Sequence, residues 1–216
     1  DTLQRLSRRI EQDPNDGEAY LDRGKNYYWA GDVERALEDF DIAVKLAQDE
    51  ASARFYRALT YERLGRKEEA VAEYTAAIAL DDTDWVSYLS RGELYEELGE
   101  YHQALEDYGE ALEWGGELEA LLSRGDLYEK LGRYQEAIAD YSEILEQEPD
   151  ADDIYNRRGL AFWKLGNQER AIEDYTQAIS RTKGDAQVYL NNRAASYIDR
   201  GEYEKAFSDC EAAIQK

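Results

Sequence analysis

Tyr88-Leu89-Ser90-Arg91-Gly92-Glu93-Leu94-Tyr95, followed by Leu98-Gly99-Glu100-Tyr101 and Ala104, is one tooth of a comb. Gly99 has counterparts at Gly31, Gly65, Gly132, Gly166 and Gly201, in steps of about 34 residues. A fixed period of this size marks a stack of repeated modules rather than one globular core. The neighbours of the glycine repeat with it. Eight residues before it stands an arginine (Arg23, Arg57, Arg91, Arg124, Arg158, Arg193), followed by glycine or alanine. Four before it is an aromatic ring, and five after it is always alanine. Eight after it is an acid (Asp39, Glu73, Asp107, Asp140, Asp174, Asp209). Nine after it is a ring in every repeat but the last, which has Cys210. Twelve after it is alanine, except for Ile144 in the fourth repeat.

Apolar and small residues fall at helical spacing on both sides of each glycine, so each side predicts an amphipathic helix. The glycine ends the first helix, because a left-handed cap suits a residue without Cβ. The small residues let the two backbones approach, and the rings fill the space around that contact. One such hairpin cannot bury its faces alone and must stack on its neighbours.

The pattern resembles the tetratricopeptide repeat family, whose length and small-plus-aromatic signature it shares over residues 17–216. Tyr155-Asn156-Arg157-Arg158-Gly159 carries the resemblance as clearly as the stretch around Arg91. The implied fold is all-α: a right-handed superhelical solenoid of about six antiparallel hairpins. The expected repeats are 17–50, 51–84, 85–117, 118–151, 152–186 and 187–216, stacked as one elongated domain. Residues 1–16 read as an N-terminal helix from a preceding or capping hairpin, with Leu3, Leu6 and Ile10 at helical spacing. Arginine stands where the family usually has leucine, and the closing proline survives only at Pro14 and Pro149. The third repeat is one residue short near Trp114-Gly115-Gly116. The absence of methionine and of a polar capping helix suggests a segment cut from a longer protein.

A net charge of −23 argues against nonspecific nucleic-acid binding, which requires neutralising phosphates, and against an anionic membrane surface. There is no apolar run long enough to span a bilayer. Cys210 and His102 are each the only residue of their kind, so an internal disulfide, a Cys–His pair and a shared zinc site are all excluded. Cys210 is expected to be packed as a small core residue, and His102 to lie at the surface or in packing. No phosphate loop, metalloprotease helix or calcium loop is present, and Asp81-Asp82-Thr83-Asp84 reads as a turn and helix cap. No enzyme, cofactor or metal is expected. The unpaired cysteine leans toward a reducing, cytoplasmic setting, and nothing else fixes a compartment.

Each arginine and its acid lie equally far from the turn, so the six pairs are expected to bridge helices as structural ion pairs. A guanidinium at a leucine site needs such a partner to offset its desolvation. The resemblance further implies a concave groove lined by the first helices. It would hold an aromatic patch of Tyr28, Trp29, Phe55 and Tyr56, then an acidic middle of Glu93, Glu96, Glu97, Asp126 and Glu129. A polar end of Asn156, Arg157, Asn191 and Asn192 would follow, with Trp163 nearby. Trp29 and Phe55 would serve equally well as packing between repeats. The basic clamp by which some family members hold chaperone tails is missing: its sites read Leu21, Lys25, Tyr56, Val86 and Ser90. The expected function is a protein-interaction scaffold that takes a peptide or protein segment, apolar with basic residues, in this groove. The alternatives are a structural or self-associating repeat segment, or a regulatory module of an enzyme outside this segment.

Overall fold

The structure, a computed structural model, describes residues 2–47 and 50–214, and over these it contains helices and no strand. After α1 (Thr2–Gln12) come six antiparallel hairpins. They are α2 (Gly17–Trp29) with α3 (Val33–Leu46), α4 (Ala51–Arg63) with α5 (Lys67–Ile78), and α6 (Trp85–Leu98) with α7 (Tyr101–Glu113). Next are α8 (Glu117–Lys130) with α9 (Tyr134–Gln147), α10 (Asp152–Lys164) with α11 (Gln168–Arg181), and α12 (Gln187–Asp199) with α13 (Tyr203–Ile214). The chain divides into two compact units, Asp1–Gly116 and Glu117–Lys216. The division falls at the short end of the third repeat. Inside the first unit α1 packs on α2, α3 on α4 and α5 on α6; inside the second α9 packs on α10 and α11 on α12. Contact with the sequence neighbour alone is the construction of a helical solenoid.

Local chemistry sets the helix ends. Asp16, Asp32 and Asn167 accept hydrogen bonds from the backbone N–H three residues on, at 2.9, 3.2 and 3.2 Å, and so cap α2, α3 and α11. Gly99 closes α6 in the left-handed region with φ 80°. The short third repeat is closed by a tighter device: Gly116 lies under Trp85, and a Cβ there would sit 2.6 Å from the indole. α1 buries Leu6 and Ile10 against Ala19 and Tyr20.

Two contacts build each hairpin. In the first, third, fourth and fifth repeats a ring from the second helix packs against the glycine of the first; the second repeat has Ala58 there, and the sixth has Ala194, with Cys210 in place of the ring. A Cβ on Gly92 would sit 2.8 Å from Tyr108, so only glycine permits this approach. Next to it runs the arginine–acid pair. Arg23 donates from Nε and Nη2 to Asp39 at 2.8 and 2.7 Å. The same two-pronged bond joins Arg91 to Asp107, Arg124 to Asp140, Arg158 to Asp174 and Arg193 to Asp209, at 2.7–2.9 Å. A third helix joins in. Nη1 of Arg23, Arg91, Arg158 and Arg193 donates to Ser7, Thr75, Ser142 and Thr176 of the preceding repeat, at 3.0–3.2 Å. Each of these arginines therefore ties one hairpin to the one before it.

The second repeat differs. Glu73 has one methylene more than aspartate: its carboxylate takes a single bond from Arg57, from Nη2 at 2.7 Å, and its other oxygen lies 3.7 Å from Nη1 of Arg54. Arg57 Nε and Glu73 Oε2 are left buried without a hydrogen bond, while Nη1 of Arg57 reaches Asp41 at 2.9 Å. Cys210 is exposed, against the expectation of a packed residue. The rings at the matching positions of the other repeats, Phe40, Tyr74, Tyr108, Tyr141 and Tyr175, are all buried. His102 is exposed beside Glu106.

Glu73→Asp is expected to restore the two-pronged bond and stabilise the protein by about 1 kcal/mol, raising the thermal midpoint by about 2–4 °C. Asp174→Ala leaves the Arg158 guanidinium unpaired and is expected to cost about 3–5 kcal/mol. Adding Arg158→Leu should recover most of that loss, as urea denaturation would show.

Candidate functional site

In the first unit, the residues on the free face of α2, α4 and α6 form a connected series of rings ending in carboxylates. Trp29 is 69% exposed and stands edge-on to Tyr28, with ring centroids 5.2 Å apart. Tyr28 is buried, at 5% exposure, and therefore acts as the support of this patch rather than its contact surface. Above it the Arg63 guanidinium lies 3.9 Å from the ring centroid and donates 2.9 Å to the Tyr28 carbonyl. Tyr56 is half-buried, stacked on Phe40 with centroids 5.9 Å apart and edge-on to Phe55 at 5.5 Å. The Lys25 ammonium sits 4.9 Å over the Tyr56 ring. Phe55 meets Tyr74 edge-on at 5.7 Å, and the Tyr74 hydroxyl donates to Glu62.

The acids of this unit repel one another. Glu97 pairs with Lys67 at 2.9 Å, and Glu96 accepts from the Tyr108 hydroxyl at 3.3 Å. Glu93 is open to solvent, yet no hydrogen bond or ion pair holds it among the described residues. The protein crowding around it raises its pKa, and the charges of Glu62, Glu97 and Glu96 raise it further. Burial likewise raises the pKa of Glu62, against the pull of the Tyr74 hydroxyl.

The second unit has the opposite character. Arg157 Nη1 lies 2.7 Å from both oxygens of Asp126, and the Tyr141 hydroxyl donates to Asp126 at 2.7 Å and to Glu129 at 3.3 Å. Asp126 and Glu129 thus belong to a network with its own cation. Asn192 donates to Asn156 at 2.8 Å, and the Trp163 indole N–H donates to Asp199 at 2.7 Å. Asn191 remains exposed.

The sequence projection puts Glu62, Arg63 and Asp199 on the groove-lining face of their helices, though outside the candidate site, and it takes no account of the hydroxyls of Tyr74, Tyr108 and Tyr141. The signal was present. An acid stands twelve residues ahead of each of these tyrosines, at Glu62, Glu96 and Glu129. The first repeat has Tyr28 at that place, and its ring is Phe40, which has no hydroxyl to satisfy. Among the described residues no cluster suited to a metal ion is found, and no helix is long and apolar enough to cross a membrane.

Hairpins with this register, stacked on their neighbours and presenting a lined face, define a helical-repeat interaction scaffold. The chain belongs to the tetratricopeptide repeat family, whose model matches residues 11–84, 89–152, 122–187 and 156–216. Among solved structures, the C-terminal part of a TPR repeat-containing protein from Cytophaga hutchinsonii superposes with TM-score 0.85 at 17% identity, over 99% of this chain and 90% of that one. YrrB, described as a TPR protein with an unusual peptide-binding site, gives 0.72 at 22% identity, over 82% and 92%. MamA gives 0.71 at 19% identity, over 87% and 95%. No curated protein matches the sequence.

The raised pKa of Glu93 has a sign that can be tested. The native state holds that proton more tightly than the unfolded chain, so stability falls as pH rises through the window above the ordinary glutamate range. Glu93→Gln is therefore expected to unfold at a higher temperature than the parent near pH 7. The difference should vanish near pH 3, where both states are protonated; calorimetry at the two pH values measures it.

Proposed function

We propose that the ringed face of the first unit binds a peptide or protein segment presenting an apolar or aromatic side chain next to a lysine or arginine. The observation that carries this reading is Glu93: an unpartnered carboxylate among like charges, in the unit that also exposes Trp29. Such an arrangement costs the free protein stability and is relieved by a cation brought from outside. Trp29, Tyr56 and Phe55 are the anchors, because aromatic side chains that offer area on a rigid base dominate binding energies. Tyr28, Phe40 and Tyr74 provide that base. The Tyr74–Glu62 bond links the apolar part of the site to its acidic part. The peptide-binding site described for YrrB, a protein of the same fold, is consistent with this use of the hairpins.

Selection from a random peptide display library tests the proposal. Enriched peptides should combine an aromatic or large aliphatic residue with lysine or arginine. Their affinity should fall by about 1–3 kcal/mol in Trp29→Ala and in Tyr56→Ala. Enrichment of acidic peptides, or binding unchanged by both substitutions, would overturn it.

A further inference from the structure

Among the described residues every arginine but two meets a carboxylate or an aromatic ring. The two are Arg5 and Arg8, both exposed, one turn apart on the face of α1 opposite its buried Leu6 and Ile10. No hydrogen bond, ion pair or ring contact holds either of them. Arg5 also reverses the ladder. Ser7 and Ser142 each accept Nη1 of the next repeat's arginine, which puts α1 in register with α9. Two residues before Ser142 stands the ladder acid Asp140, and two before Ser7 stands Arg5. In a chain of net charge −23, α1 presents cations where the second helix of every hairpin presents a carboxylate.

The opposite chemistry gathers on α13. Five of the six large apolar side chains that are more than half exposed belong to the last hairpin. Three of these, Tyr203, Phe207 and Ile214, share one face of α13, since they are four and seven residues apart. Glu204 and Glu211 run along the solvent side of that face, away from the buried Ala206, Asp209 and Ala213. Neither acid makes a hydrogen bond or ion pair among the described residues. Glu211 lies two residues after its ladder acid. At that place Asp41, Thr75, Ser142 and Thr176 each accept Nη1 of an arginine from the following hairpin. The register thus fits Glu211 to receive a guanidinium.

The molecule repeatedly combines ring, acid and guanidinium. Arg35 lies 4.6 Å over Tyr27 and bonds Asp32. Arg66 lies 4.5 Å over Tyr61 and bonds Glu69, and Arg133 lies 4.4 Å over Tyr128 and bonds Glu136. On α13 the rings and acids are present and the guanidiniums are missing; on α1 the guanidiniums are present and the rings and acids are missing.

We infer that α13 of one copy docks on α1 of a second copy, with Arg5 and Arg8 stacked on Tyr203 and Phe207 and paired with Glu204 and Glu211. Each pair lies about one helical turn apart, and the arginine stems cover apolar surface while their heads reach the acids. Two α13 helices facing each other would instead bring four acids together, which charge forbids. The two faces differ, so the contact is heterologous, and a copy joined at one face still offers the other. None of these residues belongs to the ringed face, and the contact stands if that reading fails.

Sedimentation velocity of the full chain over a wide concentration range tests this. At low ionic strength the mass should rise with concentration past the dimer, and it should fall back in about 1 M salt, where charges are screened within about 3 Å. Arg5→Glu/Arg8→Glu should weaken association about tenfold or more, and so should Glu204→Arg/Glu211→Arg. An equimolar mixture of the two variants should associate again, because each supplies the face the other has lost. None of the four side chains makes an internal bond, so both variants should melt with the parent. Trp29→Ala/Tyr56→Ala should associate as the parent does. A monomer at every concentration would refute the inference, as would undiminished association in either charge-reversed variant. A mixture that stays monomeric, association that strengthens with salt, or its loss in Trp29→Ala/Tyr56→Ala would refute it too.

Discussion

In four of the six hairpins the distance between the two helices is set by a ring lying against a residue that has no side chain. Gly92 beneath Tyr108 and Gly159 beneath Tyr175 leave no room for a Cβ, and the ring fills the space two ordinary side chains would otherwise contest. Everything else in the repeat takes its register from that contact. The arginine immediately before the small residue is brought level with the acid immediately before the ring. The guanidinium and carboxylate then meet on two parallel hydrogen bonds, the geometry in which arginine binds most strongly. Because the free Nη1 reaches back to the preceding hairpin, a contact inside one repeat becomes a tie between repeats. The mismatch at Arg57 and Glu73 shows how narrow the geometry is: with one extra methylene, two buried polar atoms are left without a hydrogen bond.

With the hairpins fixed in this way, their free faces can vary. The first unit gathers rings from α2 and α4 and leaves Glu93 uncompensated. The second unit pairs Asp126 with Arg157 and Asn156 with Asn192. Tyrosine at the ring position connects the two levels, since its hydroxyl passes the packed layer and meets an acid on the first helix. A residue that makes the core thereby also organises the face presented to a partner. A charge left without a partner among like charges lowers the stability of the free protein, and it remains available for binding.

Most of the fold was legible in the sequence because its causes are local. The cap glycine, the helical spacing of the alanines and rings, and the sixteen-residue separation of arginine and acid all act within one hairpin. The candidate site was legible only in part. Trp29, Phe55, Tyr56 and Glu93 could be placed on the free face of their helices by periodicity. That Tyr28 would be covered by Trp29, Tyr56 and Arg63 could not, since Arg63 belongs to the next hairpin. Cys210 was misread because its counterparts are buried rings, and a place in the period does not by itself fix burial.

The sequence by itself determined the helices, their pairing into hairpins and the partner of each ladder arginine within its own repeat. These follow from a period and from contacts a few turns apart. The tertiary structure alone decided which carboxylates are neutralised and which stand free. Asp126 meets Arg157 across 31 residues, and Trp163 meets Asp199 across 36. Such contacts join successive hairpins, and they depend on how closely the helices stack and where each side chain's tip comes to rest. Repeat spacing brings those residues near one another, but only packing determines whether the charged groups touch.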